Sequence, residues 1–174
     1  MDPWVIAVGV AVVLAVVFFM SRGRSILPKA SVGSLLKKLD DPYTVLTGSI
    51  VQGEQGMIRL DHVVVSPYGV FVIKECRESG RIDVRLNREA WRVSGGGQKK
   101  LYNPVWEIRK VIQKLERLVG KIPYVPLVVF THARLAGDKD ISILQARNLI
   151  ERIQSYQDRR LDEDQQKKIV GILG

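Results

Sequence analysis

Asp61, Lys74, Glu75, Cys76 and Arg77 lie on two neighbouring apolar stretches, Ile58 to Ser66 and Val70 to Arg77, joined by Pro67-Tyr68-Gly69. Both stretches are rich in β-branched residues, and the Pro and Gly supply turn chemistry, so the pair predicts an antiparallel hairpin that Ser79-Gly80 closes. Side chains alternate faces along a strand. Asp61 therefore shares a face with Val63 and Val65, and Lys74 and Cys76 share one with Val70 and Val72. Polar groups at inward-looking strand positions need a reason. A carboxylate on one strand set against an acid and a cation on the next is the skeleton of a metal-dependent phosphodiesterase. In such a site the carboxylates hold Mg²⁺ and the cation orients water or stabilises the developing charge.

The run LDHVVVSPYGVFVI, followed by Ser79-Gly80, Trp91 and Tyr102-Asn103-Pro104, resembles the nuclease-related domain (NERD) family of the PD-(D/E)xK superfamily. The resemblance runs roughly from Ser31 to Phe130. It implies an α/β fold, with a restriction-endonuclease-like mixed sheet flanked by helices. In the family pattern the strand continues Glu-Thr-Lys. An ungapped alignment pinned by Ser79-Gly80 puts Lys74 at the Glu position and Cys76 at the Lys position, and only Asp61 keeps its place. The family's Gly-Glu pair in the first helix meets Val32-Gly33-Ser34, while the Gln that follows the NP pair is Glu107, a candidate replacement carboxylate. An ammonium where a divalent cation belongs repels the metal. The resemblance with these substitutions implies a degenerate site that binds DNA, RNA or a protein partner without efficient cleavage.

Two other readings stay open. A one-residue bulge would bring Glu75 and Arg77 to the Glu and Lys positions, making Asp61 and Glu75 metal ligands of an active Mg²⁺-dependent nuclease. Arginine is charged at all working pH, however, and cannot give up a proton as a lysine can. The third reading is a structural or interaction scaffold at a membrane, since fold does not fix function. His62 and His132 are too separated for a zinc site, and His62, from the family's DH pair, is expected to support the neighbouring strand.

The remaining chain must position these residues. Trp4 to Met20 carries no charge and is about long enough to cross a hydrocarbon core. Asp2 precedes it and Arg22 and Arg24 follow it, so the charge bias predicts a single-pass anchor with the N-terminus outside and the domain in the cytoplasm. A cleaved signal fits less well, because Asp2 and Ser21-Arg22-Gly23-Arg24 replace the basic start and small-residue cleavage site. The expected organisation is an anchor with basic flank over 1–24, a linker over 25–30 and one domain over 31–174.

Within that domain the spacing predicts a capped helix over Ser31–Leu39, ended by Asp40-Asp41-Pro42, a strand over Tyr43–Val51 and a hairpin loop at Gly53–Gly56. Arg81–Leu86 and Ala90–Val93 read as a further antiparallel pair. Ser94-Gly95-Gly96-Gly97 lacks the GxxxxGK(S/T) pattern and reads as a loop. Pro104–Val119 is the strongest helix, capped by Asn103, with Ile108, Val111, Ile112, Leu115 and Val119 in one apolar stripe. Lys110 and Lys114 lie largely on its other side and, with Lys99 and Lys100, are the candidate nucleic-acid contacts. Tyr124–Thr131 predicts a parallel strand buried on both faces. Ile141–Tyr156 and Leu161–Leu173 predict helices, the last entered through Asp162 and Gln165 as a capping box.

The 174 residues, less the anchor, suffice for one domain with a real core. Lys and Arg number 27 against 18 Asp and Glu, a net charge of +9. Such an excess favours anionic partners, either nucleic acid or the inner leaflet. The single Cys76 excludes an internal disulfide and fits a reducing compartment. No pattern for a small-molecule cofactor is evident.

Overall fold

A computed structural model of the protein describes residues 31–54, 56–95, 97 and 99–174. The expected anchor over 1–24 and the expected linker over 25–30 lie outside the described residues. No helix among the described residues is long and apolar enough to cross a membrane.

Among the described residues the fold is mixed α/β, a seven-stranded mixed sheet flanked by helices, with a separate two-stranded hairpin. Its spine is β5 (Gly69–Val84). On one edge β5 pairs in parallel with β8 (Tyr124–Gly137), which in turn pairs in parallel with β9 (Ile143–Gln145). On its other edge β5 is shared. Antiparallel β4 (His62–Ser66) holds it up to Ile73, and β6 (Ala90–Ser94) takes over from Arg81. β1 (Thr44–Thr47) extends the sheet beyond β4, and β7 (Lys99–Tyr102) extends it beyond β6.

The even-numbered residues of β5, including Val70, Val72, Cys76, Ile82 and Val84, face a first core beneath α2 (Pro104–Leu118) and α4 (Glu163–Leu173). Phe71 and Ile73 face a second core closed by α1 (Val32–Leu36) and α3 (Leu149–Gln154). Strands clothed on both faces read as near-continuous apolar runs, which is why β4 and the first half of β5 looked so distinctive in the sequence.

Several expected boundaries move. Ser79-Gly80 does not end the strand: β5 runs on through it, because Gly80 takes φ +98° and lets β6 approach within a distance no Cβ could tolerate. The expected strand over Tyr43–Val51 is two strands in different sheets. Gly48, at φ +69°, turns the chain between β1 and β2 (Ile50–Gly53), and β2 pairs with β3 (Gly56–Arg59). The expected helix over Ile141–Tyr156 is helical only from Ala146. Before it, Ile143-Leu144-Gln145 finds the open edge of β8 and becomes β9. Tertiary pairing there outweighs helical periodicity.

The other helices match their signals. Asn103, fully buried, accepts a hydrogen bond from the Val105 N–H and caps α2, and Asp162 with Gln165 forms the capping box of α4. α1 begins after its Ser31 cap but stops at Leu36.

Candidate functional site

The site forms where β4 leaves the edge of β5. The last residue pair of that ladder is His62 with Ile73, so the next N–H on the edge, that of Glu75, has no strand partner there. The Asp61 carboxylate supplies one: its Oδ2 accepts from the Glu75 N–H at 3.0 Å. Asp61 thereby stands beside the side chain of Lys74, which projects towards α2 on the first-core face. The Lys74 ammonium donates to Glu107 Oε1 at 3.1 Å and stands 3.9 Å from Asp61 Oδ2. Glu107 lies in the first turn of α2, where the helix dipole favours a carboxylate. Arg59, Leu60, Val72, Ile108 and Val111 complete a small cavity of about 160 Å³ around the three charges.

Two carboxylates therefore converge on an ammonium rather than on an open space. Burial pulls the Lys74 pKa down, but the Asp61 charge, followed by the Glu107 hydrogen bond and charge, outweighs it and raises the pKa above the ordinary lysine value. Lys74 is thus protonated in any physiological buffer. These residues as arranged do not fit Mg²⁺, which needs oxygen ligands and no cation among them. Among the described residues no group of three or more His, Cys, Asp and Glu side chains is arranged to hold a metal ion.

Glu75 points to the opposite face. Its Oε2 lies 3.3 Å from His62 Nε2 and accepts from Arg77 Nη2 at 3.1 Å. A carboxylate only accepts, so Nε2 carries the proton, while Nδ1 lies 3.2 Å from the Thr47 hydroxyl. Burial works to raise the Glu75 pKa, but the Arg77 and His62 contacts prevail and lower it. The register with β8 is regular from Val70 to Cys76 and shifts only between Cys76 and Ser79, so the bulge falls after Glu75 rather than before it. Only the Glu75 backbone touches Asp61, while its carboxylate serves Arg77 and His62. Cys76 is buried, and desolvation pushes its thiol pKa well above the ordinary range. It is a small core residue with no accessible thiolate.

The four candidate nucleic-acid contacts are distributed over two elements. Lys99 and Lys100, on β7, line a cleft of about 440 Å³ with Arg77, Glu78, Ser79 and Ser94, where β5 has passed from β4 to β6. Lys110, on α2, donates to the Tyr102 hydroxyl at 2.8 Å and lies 5.2 Å from its ring centroid, which ties the helix to the end of β7. Lys114 lies farther along α2, beside the β2–β3 hairpin with Glu54 and Arg117. The His62–Glu75 contact was not foreseen. Its signal was there, because antiparallel pairing of His62 with Ile73 brings the residue two places beyond, Glu75, onto the same rim.

A family model described as nuclease-related domain (NERD) matches residues 29–131. No curated protein and no solved structure matches the chain.

Proposed function

This chain belongs to the nuclease-related domain family, and from that premise we propose that it binds nucleic acid without cutting it. The observation that carries this reading is the Lys74 ammonium, held between Glu107 at 3.1 Å and Asp61 at 3.9 Å. It supplies positive charge where a metal-dependent nuclease of this type would place its cation, and it brings no exchangeable water. A lysine ammonium cannot activate a water nucleophile as a bound divalent ion does. The net charge of +9 supports an anionic partner. In this proposal Trp4 to Met20 tethers the domain to the cytoplasmic side of a membrane, so that nucleic acid is held there rather than degraded.

Cleavage through Asp61, Glu75 and Arg77 would require the Glu75 carboxylate to leave His62 and Arg77 and cross to the other face of β5. The deciding experiment uses the full chain in neutral detergent, with labelled DNA and RNA, at low and high salt, with and without Mg²⁺ or Mn²⁺. The expected outcome is binding that weakens steeply with salt, no cleavage, and the same result for Asp61→Asn. Metal-dependent cleavage that Asp61→Asn abolishes would establish an active nuclease instead. Failure to bind either nucleic acid at low salt would leave a membrane scaffold.

A further inference from the structure

Among the described residues, the far half of the sheet has one clothed face and one bare one. Ile82, Val84, Trp91 and Val93 turn into the first core. Alternation along the strands therefore sends Arg81, Arg92 and Ser94 to the other side. The register fixes their neighbours. Lys100 pairs with Arg92, Arg92 with Asp83, Ser94 with Arg81, and Arg81 with Arg134, which lies between the core-facing Ala133 and Leu135. Partners opposed across a ladder share a face, so Lys100, Arg92, Arg81 and Arg134 form one field across β7, β6, β5 and β8.

The second core stops short of this field: its members on β5 and β8 end at Ile73 and Val129. Arg81, Arg92, Lys100 and Arg134 are all exposed, and among the described residues none of them is in an ion pair. The acid in the field, Asp83, is already engaged by Arg85 at 3.2 Å. Beyond β8 the face runs into a cleft of about 440 Å³ that adds His132 and Arg147 to Arg134.

We infer that this bare sheet face binds the phosphate backbone of duplex nucleic acid, independently of sequence. The inference rests on the nucleic-acid reading above and names the surface that does the binding, well apart from the Lys74 site. With Asp83 taken up by Arg85, the remaining charge is positive, and the sheet holds it in a fixed lattice. Strands spaced about 4.8 Å apart, with same-face residues about 6.7 Å apart along each, give a rigid array that suits a rigid polyanion better than a fluid bilayer. Among the described residues the field presents no large aliphatic side chain to insert into a membrane, and the aromatic at its edge, Tyr102, is already held by the Lys110 ammonium at its hydroxyl and ring rather than open for an unpaired base to stack on.

The test measures the affinity of the full chain, in neutral detergent, for a labelled mixed-sequence DNA duplex across a salt series. Arg92→Gln/Arg134→Gln is compared with wild type and with Lys167→Gln/Lys168→Gln, a matched charge loss on exposed positions of α4, which packs on the opposite face. The first pair is expected to make the slope of log affinity against log salt shallower by about two and to weaken binding about tenfold or more at low salt. The α4 pair is expected to leave the slope unchanged. Should the double variant unfold, Arg92→Gln alone serves, with a slope change of about one. Unchanged affinity in the sheet-face variants, or an equal loss in the α4 pair, overturns the inference while leaving the nucleic-acid reading intact. Intact duplex binding with weakened retention on phosphatidylserine-containing bilayers assigns the face to lipid and likewise overturns it. If the wild-type chain ignores duplex at low salt, the nucleic-acid reading itself falls, and this inference with it.

Discussion

The Lys74 ammonium is shared between two carboxylates, Glu107 at 3.1 Å and Asp61 at 3.9 Å. If its ammonium is what keeps metal out, then Lys74→Glu turns a carboxylate–ammonium–carboxylate arrangement into three converging carboxylates. That variant is expected to melt below wild type in chelator and to be restabilised by Mg²⁺ or Mn²⁺, by about 1.4 kcal/mol when the ion is at ten times its Kd. Thermal unfolding with and without the ion checks this. An equal response from wild type would mean that the native site already binds metal. Asp61 must be altered with care, because its carboxylate also terminates the β4–β5 ladder by accepting the Glu75 N–H. Asp61→Ala removes that acceptor along with any chemistry, whereas Asp61→Asn keeps an oxygen there. Glu75 gives a pH prediction. Its folded pKa is lowered, so its contribution is fully present above the ordinary glutamate value of about 4.3 and is lost as pH falls through the lowered one. Urea unfolding of wild type and Glu75→Gln is therefore expected to differ at neutral pH and to converge in acid. For Lys74, whose pKa is raised, the contribution is present below the ordinary lysine value and fades only as pH rises through the raised one.

At the level of elements, Asn103 is the joint that sets α2, and hence Glu107, over the sheet. It caps the helix through the Val105 N–H and donates to the carbonyls of Leu86 and Arg88 at 3.1 and 2.9 Å. Asn103→Ala strands the buried Val105 N–H and removes the donor from the two part-buried carbonyls, and is expected to destabilise by about 2 kcal/mol. Asn103→Ser, which retains the cap alone, should fall between, as equilibrium denaturation will show. The sequence revealed this helix almost to the residue, because a cap, a proline in the first turn and an apolar stripe all agree there. It revealed the core hairpin for a similar reason, since β4 and the first half of β5 are buried on both faces. What stayed hidden depends on distant partners. Ser79-Gly80 looks like a strand stop unless β6 is known to press against Gly80. Likewise, Ile143 to Gln145 looks helical unless the free edge of β8 is in view. At the site, the substitutions at Lys74 and Cys76 were legible. That Glu107 reaches Lys74, and that Glu75 turns to His62, depends on how α2 and β1 dock, which no local pattern records. The arginines of the sheet face were visible as alternating polar positions, but their assembly into one field needed the register of four strands.

Across the whole molecule, β5 is the strand that pairs with both β4 and β6, and β8 borders it through both halves of the sheet. The β1–β4–β5 and β5–β6–β7 pairings need only chain segments close in sequence or joined by short turns. The parallel β5–β8 ladder must wait until β6, β7 and α2 have been threaded between its partners. Local pairing precedes distant pairing because closing a long loop is entropically unfavourable until its contacts form. The folding barrier is therefore expected to lie before β8 has docked. Val128 on β8 is fully buried against the first core and pairs with both Lys74 and Ile143. Val128→Ala is expected to cost about 2 kcal/mol. Stopped-flow urea chevrons should place nearly all of it in faster unfolding and leave the refolding rate almost unchanged. A matching slowdown in refolding would instead put β8 in the nucleus. If β8 docks last, the Asp61–Lys74 contact, carried by a local hairpin, forms early in folding, and Glu107 reaches it only as α2 settles. The charged centre would then be assembled in the order in which its residues leave the ribosome.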